Sequence, residues 1–154
     1  MPTDLLSTRF PSVRDGQWSS DYPTVASRAP HRGTEVVLLV DDEPAPRRLG
    51  RHVLQSFGYT VLEAECTDEA VRVAAAHPGP IDLLVTDIVM PGECGRTLAA
   101  VLTARRPGMR VLFVSSYGED AGTPQGTRRL GQFLAKPFSF SDLAVKVRQV
   151  LDAG

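Results

Sequence analysis

The run Ile81-Asp82-Leu83-Leu84-Val85-Thr86 stops at a single acid, Asp87, and Pro91 and Gly92 follow within five residues. An apolar run of strand length, bounded by proline and glycine, reads as a buried strand of a parallel sheet. A carboxylate at the carboxyl end of such a strand points into the crevice where open α/β sheets place their ligands. Four more runs of this kind alternate with stretches of helical spacing. Five strands alternating with helices predict an α/β fold: one parallel sheet with right-handed crossovers and helices on both faces.

The first run, Val36-Val37-Leu38-Leu39-Val40, ends in Asp41-Asp42-Glu43. Leu49, Val53, Leu54 and Phe57 then recur at helical spacing, and Gly58 stops the helix. Residues 59–63 form the second strand, and Thr67 is expected to cap a helix whose first turn carries Asp68 and Glu69. The strand ending at Asp87 leads into a loop, residues 90–95, and a helix with Leu98, Val101 and Leu102. Residues 111–114 form a fourth strand ending in Ser115-Ser116-Tyr117, and residues 133–135 a fifth, ending at Lys136-Pro137. Ser139 with Asp142 makes a capping box for the last helix, which carries Leu143, Val147, Val150 and Leu151. Gly118, Gly122, Pro124 and Gly126 crowd the place of a fourth helix, so that element is expected to be short or irregular.

Residues 1–33 carry Pro2, Pro11, Pro23 and Pro30, with isolated Phe10 and Trp18 and no helical or strand period. They are expected to form a disordered tail ahead of one domain, residues 34–154. Seventeen basic residues against eighteen acidic ones leave a net charge of -1, which argues against a nucleic-acid partner. The absence of a membrane-length apolar run and of a signal-peptide core points to a soluble, cytoplasmic protein with no membrane contact. Cys66 and Cys94 follow no metal or disulfide spacing and read as reduced thiols.

Chemistry gathers at the strand ends: Asp41, Asp42, Asp87, Ser115 and Lys136. Carboxylates placed close together repel, and a cation lets them coexist. Hard oxygen donors without His or Cys favour Mg²⁺. A hydroxyl and an ammonium opposite the acids suit the oxygens of a transferred phosphoryl group. These residues point to Mg²⁺-assisted phosphoryl chemistry with Asp87 as the attacking carboxylate.

Val-Asp-Asp-Glu at 40–43, Asp-Ile-Val-Met-Pro-Gly at 87–92, Phe-Val-Ser-Ser-Tyr at 113–117 and Lys-Pro-Phe at 136–138 together resemble the receiver domain of two-component response regulators. The resemblance covers residues 34–152 and is nearest in character to the C-terminal receiver of hybrid sensor histidine kinases. It implies a flavodoxin-like doubly wound sheet of order 2-1-3-4-5. It also implies that Asp87 takes a phosphoryl group from a phosphohistidine on a sensor histidine kinase or a histidine phosphotransfer protein. Asp42, Asp87 and the carbonyl of Val89 would ligate Mg²⁺, with Asp41 acting through water. Ser115 and the N–H of Ser116 would bond the phosphoryl oxygens, and Lys136 would pair with Asp87 and then with the phosphate. The bond before Pro137 would be cis. Phe133 matches the aromatic that swings inward with the hydroxyl residue as the switch, and it lacks the hydroxyl of a tyrosine.

The expected role is therefore a stand-alone phosphorelay receiver that signals through protein contacts, without turnover of an external substrate. A receiver-like binding module that works without phosphorylation is the alternative, and the complete acid, hydroxyl and lysine set argues against it. An Asp-nucleophile phosphatase looks for a second acid two residues after the nucleophile, where this chain has Val89. A DNA-binding regulator is not expected: three residues follow Leu151, and the tail is too irregular for a helix-turn-helix. Apolar Val89 and aromatic Tyr117 flank Asp87 and should shield an acyl phosphate from water. Combining Val89→Asn with Tyr117→Glu should shorten the phosphorylated half-life several-fold, followed by intact mass; an unchanged half-life refutes the shielding.

Overall fold

Val37 and Leu39 pack into one apolar core and their neighbours Leu38 and Val40 into another. Side chains alternate across a strand, so a strand of Val and Leu throughout must be covered on both faces. The computed structural model describes residues 32–115 and 131–153. Its elements are β1 (Val36–Val40), α1 (Pro44–Ser56), β2 (Thr60–Ala64), α2 (Thr67–Ala76), β3 (Leu83–Asp87), β4 (Val89–Met90), β5 (Glu93–Cys94), α3 (Gly95–Arg105), β6 (Arg110–Ser115), β7 (Gln132–Ala135) and α4 (Phe140–Asp152).

Five strands form one parallel sheet in the order β2-β1-β3-β6-β7. Counted without the short β4 and β5, this is the expected order 2-1-3-4-5. One face is covered by α2 and α3, through Ala70, Ala74, Leu98, Ala99 and Leu102. The other is covered by α1 and α4, through Leu54, Leu143, Ala144, Val147 and Val150. Each fully buried Leu or Val contributes about 1.5–3 kcal/mol, and on α4 Leu143, Val147 and Val150 fall on one helical stripe.

The helix ends follow local chemistry. α1 starts with proline in its first turn, and Gly58 beyond its end adopts φ 102°, a backbone conformation open to glycine. The expected capping box is present at α4: Ser139 accepts from the Asp142 N–H, and Asp142 from that of Ser139. At α2 the cap is Cys66, whose Sγ accepts from the Glu69 N–H, and Thr67 is the first helical residue. Residues 90–95 are not all loop, because Val89–Met90 and Glu93–Cys94 pair antiparallel. Leu49 is exposed, unlike its helical-spacing partners, because the inward stripe of α1 and its end runs through Gly50, Leu54 and Phe57. Gly50 lies close against Leu39, which turns Leu49 outward.

The expected tail with Phe10 and Trp18, and the segment with Ser116, Tyr117 and the glycine-rich fourth-helix region to residue 130, lie outside the described residues. Arg32 and Gly33 are attached to the domain: Gly33 donates to the Phe57 carbonyl (3.0 Å), and the Arg32 carbonyl accepts from Arg148 (3.2 Å). Arg148 also forms a two-pronged pair with Glu35, at 2.6 and 3.1 Å, and bonds Asp152 and the Tyr59 hydroxyl. The hydrogen bonds from Arg148 lower the Glu35 pKa against the opposing effect of burial. A carboxyl lowered on folding contributes stability above its unfolded pKa and loses it as pH falls through the folded value. Glu35→Gln should cost about 0.5–1 kcal/mol at neutral pH, as a partly exposed ion pair does. In urea unfolding, the gap to the wild type should close as the pH drops below the ordinary glutamate value of 4.5; a gap independent of pH would refute the charge pairing.

Candidate functional site

Parallel strands in register bring their carboxyl ends to one edge. Asp87 ends β3 opposite Val114 of β6, and Ser115 ends β6 opposite Ala135 of β7. Lys136 comes next, its N–H bonded to the Ser115 carbonyl (2.8 Å), and the Lys136–Pro137 bond is cis. The lysine side chain crosses to Asp87, with Nζ 2.8 Å from Oδ2. The other oxygen, Oδ1, accepts from the Val89 N–H at 3.3 Å.

Asp41 and Asp42 follow β1 at the same edge. One carboxylate oxygen from each of Asp41, Asp42 and Asp87 lies within 4.8 Å of the others. The Asp41 Oδ1 accepts from the Glu43 N–H (2.9 Å), its own N–H donates to the Ala64 carbonyl (3.2 Å), and its carbonyl accepts from Arg47 (2.8 Å). Burial raises the Asp41 pKa, with the charges of Asp87 and Asp42 pushing the same way, against the Glu43 N–H and Lys136. Burial works against the Lys136 ammonium, but its bond to Asp87 and the charges of Asp87, Asp41 and Glu43 prevail, and its pKa rises above the ordinary lysine value.

These acids fit a small hard cation. Opposite oxygens around Mg²⁺ sit about 4.2 Å apart, twice a bond of about 2.1 Å, close to the span of this cluster. Three carboxylate oxygens this close repel one another, a cost that a cation among them relieves. The donor set is all oxygen, as Mg²⁺ prefers.

The structure thus brings together Asp41, Asp42, Asp87 and Lys136, with Ser115 joined to Lys136 through the main chain. Val89 adjoins them through its N–H, and its side chain is exposed. Phe133 lies in the core beneath the edge, paired in register with Phe113, the ring centroids 5.3 Å apart.

One residue that holds the site escapes sequence reasoning. Gly95, the first residue of α3, donates to the Ile88 carbonyl at 2.9 Å, and a Cβ on it would overlap the Asp87 carbonyl oxygen. Only a residue without a side chain lets the helix start this close to the acid-bearing strand; a glycine opening a helix is the faint signal in the sequence. Gly95→Ala should destabilise by about 1–3 kcal/mol, the usual cost of forcing atoms into a filled space, and should shift the backbone NMR signals of Asp87 and Ile88. Helix propensity alone predicts a gain of up to about 1 kcal/mol, so stabilisation would refute the close approach.

A family model described as the response regulator receiver domain matches residues 37–148. The sensor kinase CckA of Brucella abortus is 42% identical over 122 residues, 78% of this chain and 13% of that protein. The receiver protein CpdR of the same organism is 30% identical over 118 residues, covering 76% of this chain and 97% of that protein. The chain spans under half the length of two other matched regulators, ResD of Bacillus subtilis and the positive alginate biosynthesis regulatory protein of Pseudomonas aeruginosa. The crystal structure of the receiver domain from the hybrid histidine kinase CckA superimposes with a TM-score of 0.60 at 36% identity, covering 76% of this chain and 99% of that one.

Proposed function

The chain belongs to the response regulator receiver domain family, and from that premise we propose that it is a phosphoacceptor in a two-component phosphorelay, with Asp87 as the acceptor. The observation that carries this reading is the Lys136–Asp87 pair at 2.8 Å, set beside Asp41 and Asp42 at the sheet edge.

An oxygen of the Asp87 carboxylate attacks the phosphorus of a phosphohistidine on a sensor histidine kinase or histidine phosphotransfer protein. The O–P bond forms as the N–P bond breaks, and the electron pair returns to the imidazole nitrogen, which takes up a proton. The Lys136 ammonium, already on Asp87, offers its charge to the incoming oxygens. The Ser115 hydroxyl supplies a further hydrogen bond to them, and the resemblance implies the same role for the Ser116 N–H. Asp42, Asp87 and the Val89 carbonyl would hold Mg²⁺, with Asp41 acting through water; when bound, the ion neutralises phosphoryl charge. Phe133, next to Phe113 in the core, relays the rearrangement at Ser115 toward the surface as the switch. The chain does not turn over an external substrate: its own chemistry is Mg²⁺-dependent self-phosphorylation and slow loss of the phosphate.

Exposed apolar side chains beside the acids support a protein donor. Leu49 and Phe140 are about half exposed, at 48% and 50%, and line a groove with Pro46, Phe138, Asp87 and Lys136. A helix bearing phosphohistidine would bury these side chains and bring its imidazole to Asp87. Output then passes through protein contacts of a cytoplasmic receiver. No helix among the described residues is long and apolar enough to cross a membrane.

The test is intact mass after incubation with a small-molecule phosphodonor. The wild type should gain one phosphoryl group with Mg²⁺ and none with EDTA, and Asp87→Asn should gain none. Equal labelling of wild type and mutant would place the phosphate elsewhere. No labelling of either, with Mg²⁺ bound, would leave a binding module that works without phosphorylation.

A further inference from the structure

We propose that Arg47 is a positioning residue of the acidic site, holding the Asp41-Asp42 turn in place without touching the ion; this rests on the Mg²⁺ reading above. The turn leaves the sheet where β1 ends, and Asp42 owes its place to how Asp41 is held. The Asp41 N–H extends the β1–β2 ladder by one step, to the Ala64 carbonyl, and its Oδ1 is tied to the Glu43 N–H. Its other main-chain group, the carbonyl, accepts from Nη1 of Arg47 at 2.8 Å.

Arg47 is itself anchored. Its side chain is 15% exposed, and its Nε lies 3.7 Å from Oε1 of Glu63. Glu63 sits on β2 opposite Leu39 of β1, and its Oε2 is held by Arg51 at 2.8 Å. A strut therefore runs from β2 through Glu63 and Arg47 to the Asp41 main chain. A guanidinium suits this task because its donors point in fixed directions, so Nε and Nη1 face two partners at once. A lysine offers a single ammonium and cannot span both.

Charge and geometry predict opposite outcomes. Removing a cation near three carboxylates strengthens Mg²⁺ binding by electrostatics alone. Releasing the carbonyl that fixes the turn weakens it, and losing an outer-shell partner of a metal site typically costs about 10–100-fold in affinity.

Isothermal titration of the full chain with MgCl₂ separates the two. Arg47→Met should bind Mg²⁺ about tenfold more weakly than the wild type, toward the lower end of that range because a main-chain group is released rather than a ligand. Arg47→Lys keeps the charge and should also bind more weakly, so the proposal stays testable if Arg47→Met fails to fold. Arg51→Met loses the bond to Glu63 but none to Asp41, and should bind as the wild type does, with a lower melting temperature. Arg47→Met binding as tightly as the wild type or tighter would overturn the proposal, as would Arg51→Met weakening binding to the same degree. A wild type that binds no Mg²⁺ would overturn the Mg²⁺ reading itself, and this proposal with it.

Discussion

Three carboxylates within 4.8 Å of one another form a repulsive cluster, and much of the local structure keeps it in place. Lys136 neutralises one member directly. Main-chain N–H groups of Glu43 and Val89 each bond a carboxylate oxygen, on Asp41 and Asp87. What remains is a site that is anionic and fixed in shape. Neutralising or adding charge at such a site shifts the balance that the Lys136–Asp87 pair holds.

The sheet makes that cluster possible. Because its central strands are buried on both faces, β1, β3 and β6 cannot slip by one residue without turning whole sets of apolar side chains to the wrong core. Register locked by packing becomes register at the strand ends, which sets the spacing of Asp41, Asp87 and Ser115. The core residues Phe113 and Phe133 belong to the same two strands that carry Ser115 and lead to Lys136. A change at the edge therefore has a short covalent path into the core.

How much of this is legible in the sequence follows from where each partner sits. The strands can be read because double burial leaves continuous runs of Val and Leu, and the acids and the lysine because each closes such a run. Gly95 and Arg47 cannot be read as site residues, since they act on the main-chain oxygens of Asp87 and Asp41, which are the same in every residue type. The β4–β5 hairpin has two residues per strand, too few for an alternating pattern to show. Thr67 and Cys66 both offer an acceptor at the start of α2, and composition favours threonine; the helix begins one residue earlier than that preference implies. At α1, spacing alone counts Leu49 as an inward residue, while the glycine beside it is what meets Leu39.

Arg148 bonds both the Arg32 carbonyl, just ahead of β1, and Asp152, in the last turn of α4. The entry and exit of the described domain are thus a single side chain apart, on the edge away from Asp87. A domain with adjacent ends can be spliced into another chain through two short joints while leaving its host almost unaltered. The acidic edge, with Asp87 and Lys136, lies at the opposite ends of the strands. Portability of this kind is a property of the salt-bridged corner rather than of the site.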